Sequence, residues 1–146
     1  VERHQGTGNV ACGFLKGYGI KAGAVALSIA HDSHNIIVVG VSDEEMEFAV
    51  NSLIAQEGGM VLVKEGKVLE SMPMPIAGLM SDQSGEWVDE KLTAIHAKAY
   101  EELGIAGDVE PVMTLCFMSL AVIPEVKLTD MGLFDVTTFS FIPVEV

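Results

Sequence analysis

The chain has 146 residues, of which 49% are apolar, 20% charged and 6% aromatic. This composition is typical of one globular domain, and the length is well short of the roughly 250 residues of a complete eightfold β/α barrel. A domain of this size buries roughly 68–70% of its unfolded surface, so its core needs no disulfide. The net charge is −13, from 21 acidic and 8 scattered basic residues. Because the basic residues form no patch that could bind the phosphates of a nucleic acid, we expect no nucleic-acid partner.

The hydropathy pattern predicts neither a membrane span nor a secretory leader. No apolar run reaches the ~18 residues that cross a bilayer, and the opening residues, VERHQGTGNV, lack an apolar signal core. We therefore expect no membrane partner and a cytoplasmic location. Because the chain begins at Val1 rather than at a methionine and enters a turn-rich stretch, we interpret residues 1–146 as one domain of a longer protein.

The first predicted elements are two buried strands. Residues 24–30 and 36–41 are short apolar runs, and the five polar residues 31–35 separate them. Runs of this length bounded by polar residues are typical of strands in a core. The simplest arrangement is an antiparallel hairpin.

A helix and a second hairpin follow. Ser42, with Glu45 three positions later, predicts a capped helix start. Gly58 and Gly59 end the helix, whose apolar face carries Met46, Ala49, Val50, Leu53 and Ile54. Residues 60–70 alternate around a Glu-Gly pair, which predicts a tight β-hairpin.

A second long helix is predicted after an extended segment. Two prolines make residues 72–78 extended or looped, because each proline disfavours helical geometry in its predecessor. Residues 84–103 then form a helix that ends near Gly104 and packs on the sheet. Its apolar stripe comprises Val88, Leu92, Ile95, Ala99 and Leu103.

The last third of the chain is less regular in pattern. Residues 112–122 are apolar on all sides, and Pro111 before them favours a short buried helix over a strand. The tail, residues 127–146, is predicted to hold one or two further strands. These elements together predict an α+β fold: a two-layer α/β sandwich of mostly antiparallel strands with two main helices.

The candidate chemistry is concentrated in the HDSHN loop, residues 31–35. Two imidazoles with a carboxylate could shuttle a proton, bind a divalent metal or hydrogen-bond a heterocycle. We therefore take His31, Asp32 and His34 as candidate catalytic residues, and Ser33 and Asn35 as candidate substrate-binding residues. Two core strands would hold this loop on a rigid scaffold. The alternative is that the polar residues are turn formers and the histidines have no chemical role. His-x-x-His in a loop without a third ligand is a weak metal motif, so we expect no metal site within this chain.

Other reactive residues are weaker candidates. Arg3 and His4 could contact an anion or a neighbouring domain, and a frayed terminus is an equal alternative. His96 lies beside the apolar stripe of the second helix, where a partly buried structural histidine is the favoured interpretation. Cys12 and Cys116 lie in apolar stretches, and a buried thiol is predicted for each.

Three long strings of the sequence resemble a known family. They are VERH with GTGNVACGFLKGYGIKAGAVALSIAHDSHNIIVVG, then PIAGLMSD, then TLCFMSLAVIPEVKLTDMGLFDV. They resemble the C-terminal domain of bacterial adenine deaminases, members of the amidohydrolase superfamily. The resemblance covers nearly the whole chain.

The resemblance implies a full-length enzyme that hydrolyses adenine to hypoxanthine and ammonia with manganese or iron. It also implies that the partner of this chain is an N-terminal amidohydrolase barrel of the same polypeptide, in a homo-oligomer. In that superfamily an N-terminal His-x-His, later histidines and an aspartate of the barrel hold the metal, and none of these motifs occurs in the present sequence. We therefore expect no cofactor in this fragment.

Three hypotheses follow for the chain. In the first, the HDSHN loop caps the substrate site of an adenine deaminase. In the second, the chain is a structural or oligomerisation module without a direct catalytic role. The third, a self-contained metal hydrolase built on His31 and His34, is the weakest, because a catalytic metal usually needs three protein ligands.

Overall fold

A four-stranded antiparallel sheet forms the centre of the protein. The computed structural model describes residues 1–144, and the last two residues of the predicted tail lie outside them. The strands are β1 (Ala24–Leu27), β2 (Ile37–Gly40), β3 (Gly59–Lys64) and β4 (Lys67–Pro73), in the sheet order β2-β1-β3-β4. Both predicted hairpins are confirmed, since β1 pairs with β2 and β3 pairs with β4 in antiparallel register.

Three helices connect and cover these strands. They are α1 (Asp43–Ala55), α2 (Gly85–Glu101) and α3 (Pro111–Cys116). The predicted cap of α1 is confirmed, because the Ser42 hydroxyl accepts from the Glu45 amide at 3.3 Å. The structure shows an equivalent cap at the start of α2, where the Ser84 hydroxyl accepts from the Trp87 amide at 3.3 Å. Pro111 starts α3 at a position where its missing N–H costs nothing.

The sheet is covered on both faces. Alternate residues of β1 and β3 belong to two separate apolar clusters, as strand geometry requires. Ala24, Ala26, Val61 and Val63 pack with α1, whereas Val25, Leu27, Met60 and Leu62 pack with α2 and α3. The predicted class, α+β with antiparallel strands and two main helices, is confirmed. The layering differs from the predicted two layers, because both faces of the sheet are apolar and each therefore needs its own helical cover.

A second, smaller sheet follows α3. Strands β5 (Val126–Thr129), β6 (Gly132–Asp135) and β7 (Ser140–Ile142) are antiparallel in that order. As far as residue 144, the tail therefore carries three strands instead of one or two. The predicted helix over residues 112–122 is correct only as far as Cys116, and turns follow it as far as β5. Leu128 joins the small sheet to this turn region by donating its amide to the Met118 carbonyl at 2.9 Å.

Two side chains predicted to be buried are exposed. Cys12 is exposed, although the predicted burial of Cys116 is confirmed. The residues around Cys12 form no helix or strand, so no packed element covers its thiol. Ile54, assigned to the apolar face of α1, is 56% exposed, because the buried face of the last turn is formed by its neighbour Leu53 and successive helix residues point about 100° apart. No helix described within residues 1–144 is long and apolar enough to cross a membrane.

Candidate functional site

The HDSHN loop joins β1 to β2, and backbone contacts fix both of its ends. The His34 amide donates to the Ala30 carbonyl at 2.6 Å, which closes the turn. His31 is held through both backbone groups: its amide donates to the Cys116 carbonyl at 3.0 Å, and its carbonyl accepts from the Ser119 hydroxyl at 2.9 Å. The end of α3 and the turn that follows it therefore hold the loop through the backbone of His31.

The structure brings two of the predicted catalytic residues together and leaves the third in solvent. The His31 and His34 rings meet edge to face, with centroids 5.6 Å apart, and the Phe117 ring lies 4.9 Å from His31 on its other side. Asp32 is exposed. The two imidazoles thus form a partly buried pair beside an exposed carboxylate.

The two predicted substrate-binding residues differ in how far their polar groups are already bonded. Both ends of the Asn35 amide are engaged: its nitrogen donates to Asp130 at 3.2 Å, and its oxygen accepts from the Arg3 amide at 3.3 Å. Ser33 is exposed, and its oxygen accepts a long 3.4 Å bond from the Asn35 amide. The Ser33 hydroxyl proton is available to a ligand, whereas Asn35 ties three segments of the chain together.

The N-terminal segment lies against the loop. The Arg3 guanidinium donates to the His34 carbonyl through Nε and to the Ala77 carbonyl through Nη2 at 2.9 Å. The His4 ring bonds through Nε2 to the Ser33 carbonyl at 2.7 Å. The frayed-terminus alternative is therefore wrong, and Arg3 and His4 belong to the site.

A carboxylate holds this N-terminal segment in its turn. Glu2 accepts backbone N–H bonds from His4, Gln5 and Thr7, with a further bond from the Thr7 hydroxyl. These donors, the Thr7 amide first, lower the pKa of the exposed Glu2 carboxyl to about 2. The carboxylate stays ionised throughout the neutral range and holds the backbone turn that follows Arg3.

A turn that contains Gly78 packs against the Arg3 guanidinium. The buried Ser28 hydroxyl donates to the Gly78 carbonyl at 2.5 Å and accepts from the Gly59 amide at 2.7 Å. A Cβ on Gly78 would lie 3.1 Å from the Arg3 guanidinium, and one on Gly58 would lie 2.6 Å from the Gly78 Cα. Gly58, Gly78 and Arg3 are therefore stacked at close contact, and Gly78 has a φ of +73° that suits glycine.

The electrostatics of the pair favour a neutral His34. Burial lowers its pKa most, and the neighbouring His31 and Arg3 lower it further, while Asp32 opposes them. Its Nδ1 atom is shielded from solvent and has no hydrogen-bond partner within residues 1–144. A buried nitrogen without a partner is unfavourable, so His34 is ready to bond a ligand or a neighbouring segment.

An open cavity of about 340 Å³ adjoins the loop. Ser33, Asn35 and Asp130 line it beside the loop, and β2 and α1 contribute mainly apolar side chains together with Glu47 and Asn51. Asp130 comes from the turn between β5 and β6 and was not predicted as a site residue. Its contacts with Asn35 and, at 3.3 Å, with the Asn9 side chain hold it beside the loop.

The described residues do not fit a metal site. Within residues 1–144 no group of three or more His, Cys, Asp or Glu side chains is placed to hold an ion. The predicted structural role of His96 agrees with its geometry, because its Nε2 pairs with Glu110, the N-cap of α3, at 2.5 Å.

The residues that meet at the loop differ in how clearly their composition marks them in the sequence. Arg3 is the only arginine of the sequence, and three of its four histidines, His4, His31 and His34, meet at this loop. Asp130 gave no such signal, because it is one of 21 acidic residues.

Comparison with known proteins assigns the family. The sequence profile described as "Adenine deaminase C-terminal domain" matches residues 1–140. The chain is 74% identical over 145 residues to "Adenine deaminase 2" of Desulfotalea psychrophila, covering 99% of this chain. It is 53% identical over 146 residues to "Adenine deaminase" of Nitratidesulfovibrio vulgaris (strain DP4), covering 100%, and 48% identical over 145 residues to that of Bacillus subtilis, covering 99%.

The match is confined to part of each relative. The chain spans 25% of the length of these three proteins. Because the family profile covers residues 1–140 and the identities extend over nearly the whole chain, this chain belongs to the adenine deaminase C-terminal domain family.

Proposed function

We propose that this chain is the C-terminal domain of an adenine deaminase, which hydrolyses adenine to hypoxanthine and ammonia, and that the HDSHN loop caps the substrate site. The observation that carries the first part is the family match over residues 1–140, together with relatives that are named adenine deaminases. The second part rests on the grouping of His4, His31, His34 and Arg3 at one loop.

The reaction needs proton transfer at the purine. A water oxygen forms a bond to the ring carbon that carries the amino group, the carbon–nitrogen bond breaks, and ammonia leaves with a proton from the water. A histidine that is neutral near pH 7 can accept or donate that proton. His34 meets this requirement because its pKa is lowered and its Nδ1 is unpartnered among the described residues.

The other loop residues have distinct proposed roles. Asp32 is exposed and can accept a hydrogen bond from an amino group, and the Ser33 hydroxyl can donate one to a ring nitrogen. Asn35 positions the loop through Arg3 and Asp130.

The proposal extends to the rest of the enzyme. Manganese or iron would supply the polarised water, and its ligands would come from an N-terminal barrel, because the described residues of this chain do not form a metal site. A homo-oligomer in the cytoplasm remains the proposed state of the full-length enzyme.

The test is ammonia release from adenine by the full-length enzyme. We expect His34→Ala and Asp32→Ala to lower turnover at least about tenfold, which corresponds to about 1.4 kcal/mol of barrier. The matched controls are His96→Ala and Asp89→Ala, which remove the same side chains from α2 away from the loop. Unchanged turnover in folded His34→Ala and Asp32→Ala proteins would exclude the capping role.

One observation favours the structural alternative. Asn35 and Ser33 connect the N-terminal segment, the loop and the small sheet through Arg3, His4 and Asp130. If the loop only joins these segments, Asn35→Ala will lower the stability of the enzyme while His34→Ala leaves turnover unaltered.

A further inference from the structure

The outer edge of β2 is open for pairing. Among the described residues, β2 has one strand neighbour, β1, and therefore lies at the edge of the sheet. The edge of a sheet presents backbone N–H and C=O groups that can bind another strand. Proteins usually cover such an edge or pair it.

Val1 pairs with Ile36 at this edge. Its nitrogen donates to the Ile36 carbonyl at 2.7 Å, and the Ile36 amide donates to the Val1 carbonyl at 2.9 Å. Two residues that exchange both hydrogen bonds form a hydrogen-bonded pair of an antiparallel ladder. Val1 thus takes the first position of a fifth strand, directly before β2.

The register of that strand follows from the alternation of the backbone. The Val41 amide donates to the Gly23 carbonyl on the β1 side at 3.1 Å, so Ile37 and Val39 also face β1. Val38 and Gly40 then face outward, as Ile36 does. Because an antiparallel partner runs backwards, the residue two positions before Val1 would pair with Val38, and the residue four positions before it would pair with Gly40.

The cavity provides room for this strand. It borders Val1 and β2 as far as Val38, and Met46 and Val50 of α1 line it as well. Val1 and Val38 both pack against the apolar cluster under α1. Side chains at alternate positions before Val1 would enter the same apolar surface, since residues two apart share a face.

We propose that the segment immediately before Val1 in the longer protein occupies the cavity as a fifth strand, antiparallel to β2. This rests on the proposed place of the chain at the C-terminal end of a longer enzyme, because each relative is about four times as long as the region it matches. A second copy of the chain is a poorer occupant, because Val1 blocks the start of the edge and each copy carries a charge of −13.

The strand would connect the rest of the enzyme to the candidate site. Arg3 and His4, which bond the backbone of the HDSHN loop, lie only two and three positions after Val1. A displacement of the preceding segment would therefore be transmitted to the loop through one short stretch of backbone.

Disulfide trapping in the full-length enzyme tests the register. The background carries Cys12→Ser, because this exposed cysteine lines the same cavity. Val38→Cys is combined with a cysteine substitution at the second residue before Val1, a pair expected at a Cα separation of about 5.5 Å, within disulfide range. The control combines Val38→Cys with the same substitution at the residue immediately before Val1, which would face the opposite side of the sheet.

The expected result is an intramolecular disulfide that forms at least about tenfold faster in the first protein than in the control. Peptide mapping of the oxidised protein identifies the bond. Equal rates, no bond in either protein, or disulfide-linked dimers would each overturn the proposal. Ammonia release from adenine by the same preparations, under reducing conditions, tests the proposed activity separately, so failure of one result does not decide the other.

Discussion

Removal of the Arg3 side chain is the most direct test of the candidate site. Arg3 is the only arginine of the chain, and it bonds the carbonyls of His34 and Ala77, which belong to two separate loops. His34 has a φ of +52°, a left-handed conformation that a residue with a side chain adopts at some cost. The Arg3 bond at its carbonyl helps to hold that conformation.

The size of the effect follows from the two bonds. A hydrogen bond that involves a charged group contributes about 1.5–3 kcal/mol, and an exposed one contributes less because water replaces it. The bond to His34 is partly buried and the bond to Ala77 is exposed. We therefore expect Arg3→Ala to lower the free energy of unfolding by about 2 kcal/mol, with about 1.5 kcal/mol of this from the His34 bond.

Urea unfolding of the 146-residue chain measures this difference. Arg3→Lys should lose about 1 kcal/mol, because an ammonium keeps the charge without the fork that reaches two carbonyls. Lys16→Ala is the matched control, since it removes an exposed cation of the same charge. A change below about 0.5 kcal/mol for Arg3→Ala would refute the assigned role of the guanidinium.

Three further results are expected. The 146-residue chain alone should release no ammonia from adenine with added manganese, and metal-dependent release that persists after repurification would contradict this. Iodoacetamide should modify Cys12 and leave Cys116 intact in the folded chain, because Cys12 is exposed while burial raises the pKa of Cys116 to about 11; mass spectrometry of digested peptides reads the sites. Because the pKa of His34 is lowered in the folded chain, His34 of the unfolded chain is protonated at a higher pH than His34 of the folded chain. The contribution of neutral His34 to the free energy of unfolding is therefore fully present above about pH 6.5 and is lost as the pH falls below that value. His34→Gln should therefore lose less stability than the parent chain between about pH 7.5 and 5.5 in urea unfolding, and equal losses would contradict the assignment.

The sequence predicted those parts of the fold that depend on local patterns. The cap at Ser42 and the strands around the HDSHN loop follow from residues a few positions apart. The same local reasoning misplaced Cys12, because apolar neighbours indicate burial only when a regular element packs there.

The partners of the loop depend on contacts that no local pattern encodes. Arg3 bonds His34 across 31 residues, and Asn35 bonds Asp130 across 95 residues. The periodicity of strands and helices carries no information about such pairs. The position of the loop was therefore predictable, whereas the residues that hold it became visible only in the structure.

The close stack of Gly58, Gly78 and Arg3 has an evolutionary consequence. Any side chain at position 78 would press on the guanidinium, and any side chain at position 58 would press on Gly78. Single substitutions at these three positions are therefore expected to be rare among relatives. A family member that lacks the arginine should admit at position 78 the few residues, such as asparagine, that tolerate the φ of +73° found there. Loss of Arg3 at the candidate site should thus be accompanied by substitutions at position 78, which lies more than forty residues after the HDSHN loop in the sequence.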